Sequence, residues 1–218
     1  MPERNAPAIE QGPATLTWKK QPLYDTFLTA PVGPGVAVVQ FFQIPIGAIG
    51  SGFVAPGKTV NETNMNAASQ LGKPNQFQLF GFQLIAVIPP IVGGATSNTD
   101  ADFAAIYTSG TFRFVRGGNK VELEIPLDRI PTGPGPTGFA ATAPAGVPLE
   151  AIRINNGVTH TSHYFNFGNP GKGREPLTID STQTFRCEIV YNGAAGPLIT
   201  AAATRIKCYM LGILGSEN

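Results

Sequence analysis

Charge is what this chain of 218 residues has least of: Lys, Arg, Asp and Glu together make up 13%, against roughly 25% in ordinary soluble domains. The balance is +1, so no strong field draws nucleic acid or an anionic membrane to it. Cysteine is nearly absent. Cys187 and Cys208 are too few for a disulfide framework and sit in strand-like stretches, so buried thiols are expected. Histidine is as scarce: His160 and His163, in THTSHYF, are the only two. On a strand that spacing turns them to opposite faces, and no nearby Cys or carboxylate completes a ligand set. Neither has a carboxylate partner that spacing reveals, and no G-x-S-x-G elbow occurs. These shortages predict a protein that is not an enzyme and needs no cofactor, metal or small-molecule substrate.

A long uninterrupted apolar run is also missing. The nearest is LGKPNQFQLFGFQLIAVIPP, residues 71–90, and a membrane helix needs about 20 mostly apolar residues. Gln76, Gln78 and Gln83 interrupt it, and Pro89-Pro90 stop it. Phe77, Phe80, Phe82, Ile85, Val87 and Ile88 favour strand, and Gly81 disfavours helix. The spacing predicts a strand over 76–88, alternating at its start and apolar on both faces in LIAVI. The first residues, MPERNAPAIEQGPATLTWKK, hold no signal-type apolar run, so synthesis and residence in a cytoplasm are expected.

What is plentiful is Gly (26) and Pro (20), set among recurrent Phe, Val, Ile and Leu, the composition of many short strands joined by turns. TFRFVRGGNKVELEIPL, residues 111–127, reads as a hairpin: two alternating runs meet at Gly117-Gly118-Asn119, which supply positive φ. Arg113, Arg116 and Lys120 are placed to face Glu122 and Glu124. QPLYDTFLTA, GVAVVQFFQI, AIRINNG and HTSHYFNF read as further strands. FRCEIVYNG and ATRIKCYMLGIL read as a second antiparallel pair, the last strand lying centrally. NETNMNAASQLG, residues 61–72, carries N-cap candidates, two alanines and a terminal glycine, and predicts one short helix. The fold expected is an all-β antiparallel sandwich of jelly-roll type, with that helix and long Gly/Pro-rich loops. Residues 1–20 are an extended N-terminal arm, and 21–218 form a single domain with an inserted loop over 131–148. GNPGKGREP, residues 168–176, lacks the Ser/Thr of a P-loop, and its Lys172 and Arg174 are a candidate anion or nucleic-acid contact. Asp100 and Asp102 lack the further oxygens of a calcium loop.

The order of short helix, QLGKPNQFQL strand, hairpin and closing RIKCYMLGIL strand resembles the jelly-roll coat proteins of tailless icosahedral bacteriophages. The likeness spans roughly residues 61–90 and 176–214, with TNMNAASQLGKPNQFQLFGFQLI its most similar stretch. Size is a departure, since coat proteins with two stacked jelly rolls are longer than this chain. The resemblance implies a shell protein of the virion, assembled in the host cytoplasm, commonly as trimers. Its partners would be copies of itself, other virion proteins, and the genome or an inner membrane. It makes Trp18, Pro134, Pro136 and Phe139 candidate subunit-interface residues, the first as an apolar anchor in the arm. The alternative is a β-sandwich binding module for carbohydrate or a receptor, such as a spike or decoration domain.

Overall fold

A computed structural model describes residues 16–29, 33–35, 37–87, 106–107, 109–130, 165–166, 177–191, 196–199 and 203–217. Within them lie β1 (Leu16–Lys20), β2 (Leu23–Leu28), β3 (Gly33–Gly35), β4 (Val38–Phe41), β5 (Gln76–Val87), β6 (Gly110–Arg116), β7 (Lys120–Pro126), β8 (Phe165–Asn166), β9 (Leu177–Asp180), β10 (Phe185–Tyr191), β11 (Gly196–Ile199) and β12 (Arg205–Glu217). All pairs are antiparallel. One sheet has β12 and β5 at its centre, with β1 and β2 beside β12 and β8 and β9 beside β5. The second runs β4-β10-β6-β7, and β3 pairs separately with β11.

The long strands β5 and β12 form the spine of the first sheet. Ile206, Cys208 and Met210 of β12 are buried, between the partly exposed Lys207 and Tyr209. On β5 the inward positions are Phe77 and Leu79, then Phe82, Leu84 and Ala86. The change of phase has a local cause: Leu211 pairs with Gly81 and Gly212 with Leu79, so Phe80 is left over as a bulge. One extra residue turns the following side chains to the other face. Within LIAVI, Leu84 and Ala86 are buried but Ile85 stays partly exposed, so this part of the strand is not buried on both sides as expected; Ile88 lies outside the described residues.

In the second sheet, cross-strand register lines up like residues. Gln40, Glu188, Arg113 and Glu124 stand in one row across β4, β10, β6 and β7. The adjacent row is Phe41, Cys187, Phe114 and Leu123. Alternation at period two thus separates a charged outer face from an apolar inner one. Arg113 bridges Glu124 at 2.8 Å, and Glu122 meets Arg116 at 2.8 Å and Lys120 at 3.0 Å. The hairpin turn has φ of 60° at Gly117 and 90° at Gly118, as its composition predicts.

The two sheets meet through aromatic side chains. The Phe82 ring of β5 lies 5.1 Å from Phe112 and 5.2 Å from Phe114, both of β6. All three are fully buried, each contributing about 1.5–3 kcal/mol of transfer free energy. Cys187 and Cys208 come from opposite sheets, and both are free and fully buried. Burial, with the Cys208 thiol beside it, pushes the Cys187 thiol well above its ordinary range.

Two further expectations need correction. No helix forms over 61–72, which runs through turns. Its polar groups bond sideways to β2 instead of along a helix axis. Tyr24 N–H donates to Asn64 Oδ1 at 2.9 Å, and Asn64 Nδ2 donates to the Pro22 carbonyl at 2.8 Å. Ser69, at φ 58°, donates its N–H to the Phe42 carbonyl and accepts from Phe185 N–H. Nor do FRCEIVYNG and ATRIKCYMLGIL pair with each other. β10 lies between β4 and β6, while β12 lies in the other sheet, and the link holds β11. Both strands alternate correctly, but alternation carries no information about the partner strand. The central place of β12 is as expected.

Candidate functional site

Between β4 and β5 the chain makes an excursion over residues 42–75 that is held in one shape by its own turns. Gly50 and Phe53 exchange backbone hydrogen bonds of 3.1 and 3.0 Å around Ser51 (φ 53°) and Gly52 (φ 84°). Two central residues at positive φ make the tight hairpin turn that fits strand twist. The turn docks on β2, where Leu28 N–H donates to the Ser51 carbonyl at 2.9 Å. A Cβ on Gly52 would land on the Leu28 carbonyl oxygen, so this close approach requires glycine. Gly47 N–H donates to the Lys58 carbonyl at 2.8 Å, and Lys58 N–H to the Ala48 carbonyl at 3.1 Å.

Beneath this crown lies a buried ion pair. Lys58 Nζ sits 2.7 Å from Asp25 Oδ1, and neither side chain has any solvent exposure. Asp25 Oδ2 accepts the Phe42 N–H at 2.6 Å, and the Thr63 hydroxyl also reaches the carboxyl. Phe42 is thereby held at φ 68°, an arrangement of about 1–3 kcal/mol strain that persists only where the surroundings enforce it. Burial pushes the Asp25 carboxyl up, and Lys58 pulls it partly back. Burial lowers Lys58, and Asp25 partly restores it. Desolvation dominates at both ends of the pair, so both move toward neutrality.

Beside polar residues such as Thr59, Asn61 and Asn66, this excursion presents aliphatic side chains to solvent. Ile46, Ile49, Val54 and Val60 are 38%, 63%, 78% and 62% exposed. Single exposed apolar residues need no explanation; these four all lie on one braced loop. Among the described residues, the other exposed large apolar side chains are Trp18, Val38 and Val121. They lie on β1, β4 and β7, strands that pair along one edge only. Trp18 faces Gly215 across the β1–β12 ladder. The indole packs where a Cβ on Gly215 would come within 3.0 Å of it, the way an aromatic covers a strand glycine. Leu16–Lys20, part of the expected arm, is thus a strand of the first sheet.

Pro134, Pro136 and Phe139, with Lys172 and Arg174, lie outside the described residues, as do His160, His163, Asp100, Asp102 and the AIRINNG stretch. Sequence reasoning missed the Asp25–Lys58 pair and the aliphatic crown. One signal was present: Asp25 sits two residues after the inward Leu23 in LYDTFL, a charge on an apolar phase. Among the described residues no group of His, Cys, Asp or Glu is placed to hold a metal ion, and no helix is long and apolar enough to cross a membrane. No protein-family model matches the chain, and no curated protein or solved structure is similar to it.

Proposed function

We propose that this chain is a structural protein of a virion, a coat protein of a tailless icosahedral bacteriophage that builds its shell from copies of itself, as trimers. The exposed aliphatic crown carries this reading: Ile49 and Val54 stay in water on a loop too well braced to fold them inward. A second copy is the occupant that a self-assembling protein brings. Strand order supports the jelly-roll part. Beside the second sheet's β4-β10-β6-β7, the pairs β2–β12, β12–β5 and β5–β9 of the first sheet support a winding of eight strands as two Greek keys, an architecture used by viral capsid proteins, lectins and cupins. Other virion proteins and the genome or an inner membrane are further partners on this reading, and the virion its location.

The second reading, a carbohydrate- or receptor-binding sandwich, has its own observation. Tyr24 and Tyr209 lie 5.9 Å apart with Lys207 Nζ over both rings, and Trp18 is 41% exposed. Light scattering on the purified chain, followed by electron microscopy, separates the two. Closed particles, or trimers that grow into sheets as concentration rises, are expected. A chain that stays monomeric at high concentration overturns the coat reading.

A further inference from the structure

Asp25 and Lys58 have the arrangement of reactants as well as that of a brace. We propose that they form a self-catalysed cross-link, an amide between Lys58 Nζ and Asp25 Cγ, made with release of one water. The inference stands whether or not the chain builds a shell.

Three features of the pair favour the step. The amine and the carboxyl are already in contact at 2.7 Å with no solvent exposure on either side, so the encounter is intramolecular and held in place. Apolar groups flank them, with the Thr63 hydroxyl and the Phe42 N–H as polar neighbours of the carboxyl: Phe42 is fully buried, and the Phe53 ring centroid is 5.7 Å from Lys58 Nζ. Such a site favours passing the proton along the hydrogen bond, from ammonium to carboxylate, leaving a neutral amine nucleophile and a carboxylic acid. The directions in which burial moves both groups agree with this. Third, the Phe42 N–H points at Asp25 Oδ2 from 2.6 Å. A backbone donor there stabilises the negative charge that develops on that oxygen as Cγ becomes tetrahedral.

In the step, the Nζ lone pair attacks Cγ and the charge moves to Oδ2. An Nζ proton then passes to the Oδ1 hydroxyl, the Cγ–Oδ1 bond breaks, and Oδ1 leaves as water. Oδ2 becomes the amide oxygen, still accepting from Phe42. One Nζ–Cγ bond replaces one Cγ–Oδ1 bond, and nothing is oxidised or reduced. The product ties β2 to the aliphatic crown across 33 residues of chain. Such a closure restricts the unfolded chain as a disulfide does, and it resists reducing agents.

The test is the intact mass of the full chain, denatured, by mass spectrometry. A mass lower than the sequence mass by one water is expected. Chymotrypsin, cutting at Phe27, Phe41 and Phe53 between the two residues, should leave one branched peptide that contains both Asp25 and Lys58. Lys58→Arg should restore the full mass and abolish the branched peptide. Should that variant fail to fold, the wild-type peptide map decides alone. A full sequence mass in the wild type overturns the proposal, as does loss of water without the branched peptide, the mark of dehydration elsewhere.

Discussion

Phe82 is the residue on which the most of the core depends. It projects from β5 two positions after the bulge, fully buried, and its ring touches both Phe112 and Phe114 of the facing sheet. Removing it leaves a cavity between two sheets whose backbones are held by their own ladders, so collapse around the gap is limited. Phe82→Ala should cost about 3–5 kcal/mol, read as a fall in the urea midpoint at unchanged slope. A loss below about 1 kcal/mol would mean that the two sheets do not share this contact. Phe80, two positions earlier, occupies the bulge and is partly exposed. Residue type alone does not separate these two phenylalanines.

At the scale of the element, the β6–β7 hairpin is where electrostatics are legible. Glu122 accepts from Arg116 and from Lys120, and the Arg116 hydrogen bond is the first cause that holds its carboxyl below the ordinary 4.5. A carboxyl depressed by folding stabilises the folded chain above its unfolded pKa, and that stability is lost as pH falls through the folded value. The wild type should therefore exceed Glu122→Gln in stability by about 1 kcal/mol or less near neutrality. The difference should vanish on acidification below 4.5. Urea midpoints of both proteins across that pH range check this, and a gap that persists in acid would assign the effect to packing. The edge position of β7 explains the modest size, since its Val121 is 45% exposed.

For the whole molecule, the coat reading makes the aliphatic crown the surface that governs self-association. Ile49→Asp with Val54→Asp places charge on side chains 63% and 78% exposed, so folding stability should change by no more than about 0.5 kcal/mol per site. Self-association should fall sharply, because like charges would face each other in any contact between crowns or sit unpaired in a desolvated one. Sedimentation or light scattering of the folded double variant reads this directly. Unchanged assembly at unchanged Tm would move the contact surface to the edge strands that carry Trp18, Val38 and Val121.

Much of the fold was legible in the chain because alternation is a local property. The strand β5, the hairpin with its Gly117-Gly118 turn and Arg–Glu pairs, the inward face of Phe185, Cys187 and Ile189, and the central β12 all follow from side chains at period two. Tertiary structure decided the rest. β10 and β12 alternate equally well, but their partners were set by which rows of side chains meet across the core, and they went to different sheets. Thr63, one of the expected N-caps, donates its hydroxyl to the Tyr24 carbonyl of β2 instead. Asp25 was visible as a charge on an apolar phase, whereas Lys58, 33 residues away, gave no local sign of pairing with it. The crown was hidden for the same reason. Ile49 and Val54 resemble core residues in any window of sequence, and only the turns at Gly50, Ser51 and Gly52 show that they face water.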